Sequence, residues 1–170
     1  LEADGPVVAE ARPSPLVGVG FAPVKGERPE WVVQRLTEVG VDRILLLVAA
    51  RSVVRWQADR VARHMERLRR VAREAAMQSR RLWLPEVLAP APVGEVAAAL
   101  AHPGGDAPGL DRPVVLVGPE GGWDEAELAG GRPLVGLGPT VLRAETAALA
   151  AGLALCGLRS GWVRAGGGRG

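Results

Sequence analysis

Two short apolar runs, Val114–Val117 and Leu134–Leu137, constrain this chain more than any other feature. Each empties into a loop rich in glycine and proline, and then into a helical pattern. The first loop is Gly118-Pro119-Glu120-Gly121-Gly122, and the second is Gly138-Pro139-Thr140-Val141-Leu142-Arg143-Ala144-Glu145-Thr146. Val- and Leu-rich runs bounded by Gly and Pro suit strands buried on both faces of a parallel sheet. Ligands bind such sheets outside the carboxyl ends of the strands, where both loops would lie. Glycine there lets backbone approach a ligand closely, and proline stiffens the loop. One such loop is ordinarily only a tight turn. Two in succession, both with a glutamate and the second with an arginine, point to a ligand site.

The rest of the chain alternates in the same way. Leu16–Ala22 reads as a buried strand. A helix then opens at Arg28-Pro29, with proline where its missing N–H costs nothing, and stops at Gly40. Ile44–Val48 is a second strand. Ala58 to Arg81 is the longest helical pattern, with Val61, Met65, Leu68, Ala72, Ala75 and Ala76 on one face. Leu82–Leu84 with Pro85 predicts a third short strand, Val93–Ala101 a short helix, and His102–Arg112 a mobile loop. Asp124-Glu125-Ala126-Glu127 has the form of a capping box with aspartate as cap. A last helix runs from about Arg143 to Leu158. Its small residues suggest close packing on another helix, from this chain or a second subunit. Pro6–Ala11 is a possible isolated strand, and Gly166–Gly170 a disordered tail. Strand and helix in alternation give an α/β fold with a parallel sheet.

Composition removes whole classes of function. The chain has 170 residues, 48% of them hydrophobic, enough for one good core. No apolar run approaches a membrane span and no signal-type leader opens the chain, so the expected compartment is the cytoplasm. A single cysteine, Cys156, excludes an internal disulfide and a cysteine-cluster metal site, and no metal is expected. His64 and His102 have no ligand-like spacing and read as structural or solvated. Neither a Walker pattern nor G-x-G-x-x-G after a strand is present. Twenty of the twenty-one basic residues are arginine. Arg60, Arg63, Arg67, Arg70 and Arg73 fall mostly off the apolar face of the long helix. They read either as a solvated face paired with Glu66 and Glu74 or as a phosphate-binding stripe.

With these residues in place, a resemblance is visible. GPEGG before a short acidic helix, followed by LGPTVLRAETAAL, resembles the SPOUT methyltransferases. The closest likeness is to the family that methylates uridine N3 in small-subunit ribosomal RNA, the RsmE type. Lys25, QRLTEVGV (34–41), ARSVV (50–54) and EAAMQSRRLWLPEV (74–87) follow in the family's order. Met77 stands where that family has Glu, and Arg35 where it has Lys. The resemblance implies a parallel sheet flanked by helices with a C-terminal trefoil knot, holding S-adenosylmethionine in the knot loops, in a homodimer that acts on ribosomal RNA. It implies residues 16–165 as the methyltransferase domain. Residues 1–15 would be a linker or the remnant of an amino-terminal RNA-binding β-barrel.

The residues this reading singles out fall into three groups. Leu116, Val117, Gly118, Gly121, Gly122, Leu137, Gly138, Leu142, Arg143, Thr146 and Ala147 are expected around the cofactor. Glu120 and Glu145 are candidate bases for the N3 proton, and Arg143, Arg51 and Arg81 candidate stabilisers of the uracil anion. Arg143 and Glu145 read equally well as residues that only hold their loop. Lys25, Arg51, Arg67, Arg70, Gln78 and Arg81 are expected to meet RNA. Two other classes stay open at this point: a non-catalytic RNA-binding module, and an enzyme that holds a different nucleotide by using GPEGG as an anion loop.

Overall fold

The computed structural model describes residues 9–23, 28–52, 56 and 58–164. Lys25, part of the Pro6–Ala11 run and the Gly166–Gly170 tail lie outside them. Six strands form one all-parallel sheet: β1 (Gly18–Phe21), β2 (Arg43–Val48), β3 (Glu86–Pro92), β4 (Ala99–Asp106), β5 (Val114–Val117) and β6 (Leu134–Val135). Their order across the sheet is β3-β2-β1-β5-β4-β6. Among the described residues there are four α-helices: α1 (Arg28–Glu38), α2 (Ala58–Gln78), α3 (Glu125–Leu128) and, after the last strand, α4 (Ala144–Ser160).

Strand alternation divides the core. Val19 and Phe21, Ile44 and Leu46, and Val115 and Val117 point to one face, where they pack with Val32, Val33 and Leu36, with Met65 and Leu68, and with Ala148, Ala151 and Leu155. That face is covered by α1, α2 and α4. Leu47, Leu100 and Leu116 point to the other, smaller face and pack with Val93 and Trp123. Gly20 makes this second face possible. A Cβ there would lie 2.5 Å from Leu116 and 3.3 Å from Leu47, so its absence lets these leucines close over β1.

Three sequence expectations are corrected here. Leu82–Leu84 is not a strand, and all three side chains are exposed. The strand is the proline-bearing Glu86–Pro92, which is tolerated because β3 is an edge and proline need not donate to a neighbour. Val93–Ala101 is not a helix. A 3₁₀ turn covers Val93–Glu95, and β4 begins at Ala99. Much of the predicted His102–Arg112 loop is therefore strand. β6 is also shorter than the run that signalled it. The small residues of α4 serve contacts within the chain: a Cβ on Gly152 would meet Leu36 at 2.9 Å and Val41 at 3.1 Å.

At the amino end of the sheet, Asp42 is almost fully buried and accepts the Val17 N–H at 2.9 Å. Two guanidiniums converge on it, from Arg81 after α2 and Arg159 in the last turn of α4. Arg81 also donates to the carbonyls of Thr37 (3.0 Å) and Val41 (2.7 Å), and Arg159 to Gly40 (2.9 Å). These carbonyls lie in the last turn of α1 and in the short link from α1 to β2. Burial lowers the Arg81 pKa.

Cys156 lies in the same region, and burial raises its thiol from the ordinary 9.0 to about 11. A pKa raised on folding adds stability that is complete below the unfolded value and is lost as pH climbs through the folded one. Thermal melts are therefore expected to lose midpoint between about pH 9 and pH 11, and Cys156→Ala to flatten that loss. Identical slopes in both proteins would assign the alkaline loss to other groups.

Candidate active site

The loop after β5 is built by short-range bonds. The Gly122 N–H closes a turn on the Pro119 carbonyl at 2.8 Å, and Gly122 takes φ +71°, a conformation that L side chains rarely adopt. Trp123 folds back beneath the loop, so that a Cβ on Gly118 would lie 3.1 Å from its ring, and its indole N–H donates to the Ala101 carbonyl at 2.9 Å. Asp124 then caps α3 with the capping box that the sequence predicts.

The loop after β2 is tied to this one. Glu127 accepts from the Asp124 N–H (2.8 Å) with one oxygen and from the Ala50 N–H (3.0 Å) with the other. The Arg51 guanidinium donates to the Gly121 carbonyl at 3.2 Å and lies 3.8 Å from the Asp124 carboxylate.

The loop after β6 turns at Gly138, with φ +138°, and Arg143 is the N-cap residue of α4 without a side-chain cap bond. The two loops do not leave neighbouring strands, as their succession in the sequence suggests. β4 lies between β5 and β6. The loops nevertheless close on one cleft of about 560 Å³ at the carboxyl end of the sheet, within the roughly 300–1,000 Å³ usual for small-molecule sites. Val117, Leu128, Leu137, Leu142, Ala144 and Ala147 give it apolar walls. Gly122 and Gly138 have nothing within 4 Å of where their side chains would stand, so backbone at both turns is open to a ligand.

Of the residues expected around a cofactor, Val117, Gly118, Gly122, Leu137, Gly138, Leu142, Arg143 and Ala147 line this cleft. Three do not. Leu116 is fully buried in the second core face, Gly121 faces Arg51, and Thr146 is exposed outside the cleft. Glu120 lines the cleft and Glu145 does not.

Arg81, expected at RNA or uracil, does not line the cleft. Its guanidinium is occupied at the amino end of the sheet, opposite the cleft. Arg51 braces the first loop from outside. Arg67 pairs with Glu30 at 2.9 Å and, with Gln78, borders a groove between α1 and α2, while Arg70 is exposed. Sequence reasoning missed His102, Pro103 and Trp123, which also line the cleft. His102 and Pro103 lay hidden in a stretch read as loop. The signal that could have found Trp123 is its position directly after the glycine pair.

A parallel sheet with two glycine loops closing on one cleft at its carboxyl end defines a nucleotide-type binding site in an α/β enzyme fold. Residues 12–155 match the RNA methyltransferase domain, and the chain belongs to that family. Among its relatives is the ribosomal RNA small subunit methyltransferase E of Mycobacterium bovis, 39% identical over 87% of this chain and 65% of its own length. Two of the similar solved structures carry the cofactor. One is a putative methyltransferase from Legionella pneumophila with bound S-adenosylmethionine, with TM-score 0.71, 31% identity, and coverage of 82% of this chain and 66% of that one. The other is ribosomal RNA small subunit methyltransferase E from Neisseria gonorrhoeae bound to S-adenosylmethionine, with TM-score 0.70, 30% identity, and coverage of 85% and 67%. The chain thus spans slightly less than two thirds of the length of the curated relative.

Proposed function

We propose that this chain binds S-adenosylmethionine in the cleft and transfers its methyl group to N3 of a uridine in small-subunit ribosomal RNA. The observation that carries the reading is the convergence of both glycine loops on one apolar cleft. The group fits the residues present: the apolar walls suit an adenine, and the open backbone at Gly122 and Gly138 suits its polar edges and the ribose. The sulfonium makes the methyl electrophilic when the donor is bound, so the protein has to hold the nucleophile close and in line. Arg143, at the rim of the cleft, is placed to stabilise the anion that forms when N3 loses its proton.

The anion-loop alternative is not favoured. α3 has only four residues, its first N–H groups are taken by Asp124, and Glu125 and Glu127 would repel a phosphate there. The trefoil knot belongs to the same proposal. In keeping with it, α4 leaves β6 at the sheet edge and returns past β4 to pack against β1 and β5. A homodimer and a cytoplasmic location are likewise part of it. No described helix is long and apolar enough to cross a membrane.

The direct test is transfer of labelled methyl to small-subunit ribosomal RNA, followed by digestion and nucleoside analysis. Label in 3-methyluridine is expected, and label on a ribose or another base would overturn the reading. The pocket has its own test in Ala147→Leu. Ala147 lies in the first turn of α4 against the cleft, and leucine is a good helix former that adds bulk there. Cofactor affinity, measured well below the melting point, is expected to fall by roughly tenfold or more, about 1.4 kcal/mol or above. Unchanged affinity would place the pocket elsewhere. Gly122→Val is the weaker variant, because at φ +71° a valine strains the backbone as well as filling space.

A further inference from the structure

His102 lies within β4, at the irregularity that follows Ala101, on the strand between the two loop-bearing strands, and it lines the cleft. Its Nδ1 is 2.7 Å from the Pro103 carbonyl oxygen. A carbonyl can only accept, so Nδ1 carries the proton and donates. The lone pair of the neutral ring then sits on Nε2, which has no partner among the described residues. The backbone has fixed the tautomer, the arrangement that leaves a histidine with one defined basic nitrogen.

Resting on the functional reading above, we infer that His102 Nε2 is the general base that takes the N3 proton of the uridine. The electron pair of the N3–H bond stays on N3 and forms the new N3–C bond to the methyl. The C–S bond breaks with its pair going to sulfur, leaving neutral S-adenosylhomocysteine. The proton rests on Nε2, and the imidazolium, still donating from Nδ1 to Pro103, passes it to solvent.

The other candidates fit less well. Glu145 does not line the cleft, and Glu120 does so from the exposed tip of its loop. The charged groups that share the cleft with His102 are Glu120 from the β5 loop and Arg143 at the start of α4. The lining residues of α3 and the rest of the β6 loop (Leu128, Leu137, Gly138, Thr140, Val141 and Leu142) add none.

The chain has two histidines, and His64 is stacked on Trp56 at 4.5 Å, so it serves as an internal reference in nitrogen NMR of the imidazoles. The neutral His102 ring is expected to carry its proton on Nδ1. S-Adenosylmethionine is expected to move its titration to lower pH, while S-adenosylhomocysteine, which lacks only the methyl and the sulfonium charge, leaves it in place. His102→Gln is expected to lower the single-turnover rate by on the order of a hundredfold or more and to remove the acid limb of the pH–rate profile, with cofactor affinity retained. An Nε2-protonated ring, equal titrations with the two cofactors, or a variant that keeps its rate and acid limb would overturn the assignment. Failure of the wild-type chain to bind S-adenosylmethionine would overturn the functional reading itself, and this inference with it, before any histidine is changed.

Discussion

Arg143→Ala is expected to lower the methyl-transfer rate by on the order of a hundredfold or more at saturating cofactor and RNA, the usual cost of one preorganised charge donor. The local physics argues that this arginine is not there for the fold. It occupies the N-cap of α4, where a cation opposes the helix dipole, and it makes no side-chain cap bond. It also has no hydrogen-bond or ion-pair partner among the described residues. Alanine at this position therefore leaves α4 at least as stable. RNA affinity is expected to change little, because an interaction made mainly in the transition state appears in the rate and not in ground-state binding. Single-turnover kinetics separate the two. A full rate in the variant would show that Arg143 does not act in the transition state.

The largest effect on stability is expected from Asp42→Asn. This carboxylate answers two guanidiniums whose side chains are only 12% exposed. Removing one partner from a buried ionic cluster costs about 3–5 kcal/mol, because the charges left behind are neither solvated nor paired. In a chain of this size that is a fall of roughly 10 °C in melting temperature. The cluster joins β1, β2 and the ends of α1, α2 and α4 at the amino edge of the sheet, away from the cleft. Cofactor affinity measured well below the melting point is therefore expected to hold. A drop of only a degree or two would mean that backbone carbonyls alone suffice for Arg81 and Arg159.

The same cluster shows where the sequence stops being informative. Arg81 carries charge in an arginine-rich stretch and reads as an RNA contact. What places it is a pair of carbonyls at and just past the end of α1, some forty residues away in sequence, to which it donates. Arg51 likewise finds a partner far away in sequence, the Gly121 carbonyl. Local punctuation was legible: proline at the start of α1, the capping box of α3, and the glycine turns after β5 and β6 are all short-range chemistry. β3 was missed because Pro90 and Pro92 argue against a strand unless it is known to be an edge. The insertion of β4 between β5 and β6 was out of reach, because strand order is a long-range property. That insertion also carries His102 into the cleft, so a histidine without motif spacing became a site candidate only once the sheet was laid out.

The central claim is that the two glycine loops form a site for S-adenosylmethionine. Calorimetric titration of the wild-type chain with S-adenosylmethionine tests it most directly. The account predicts saturable micromolar binding of one cofactor per chain. No detectable heat and no saturation at millimolar cofactor would contradict it.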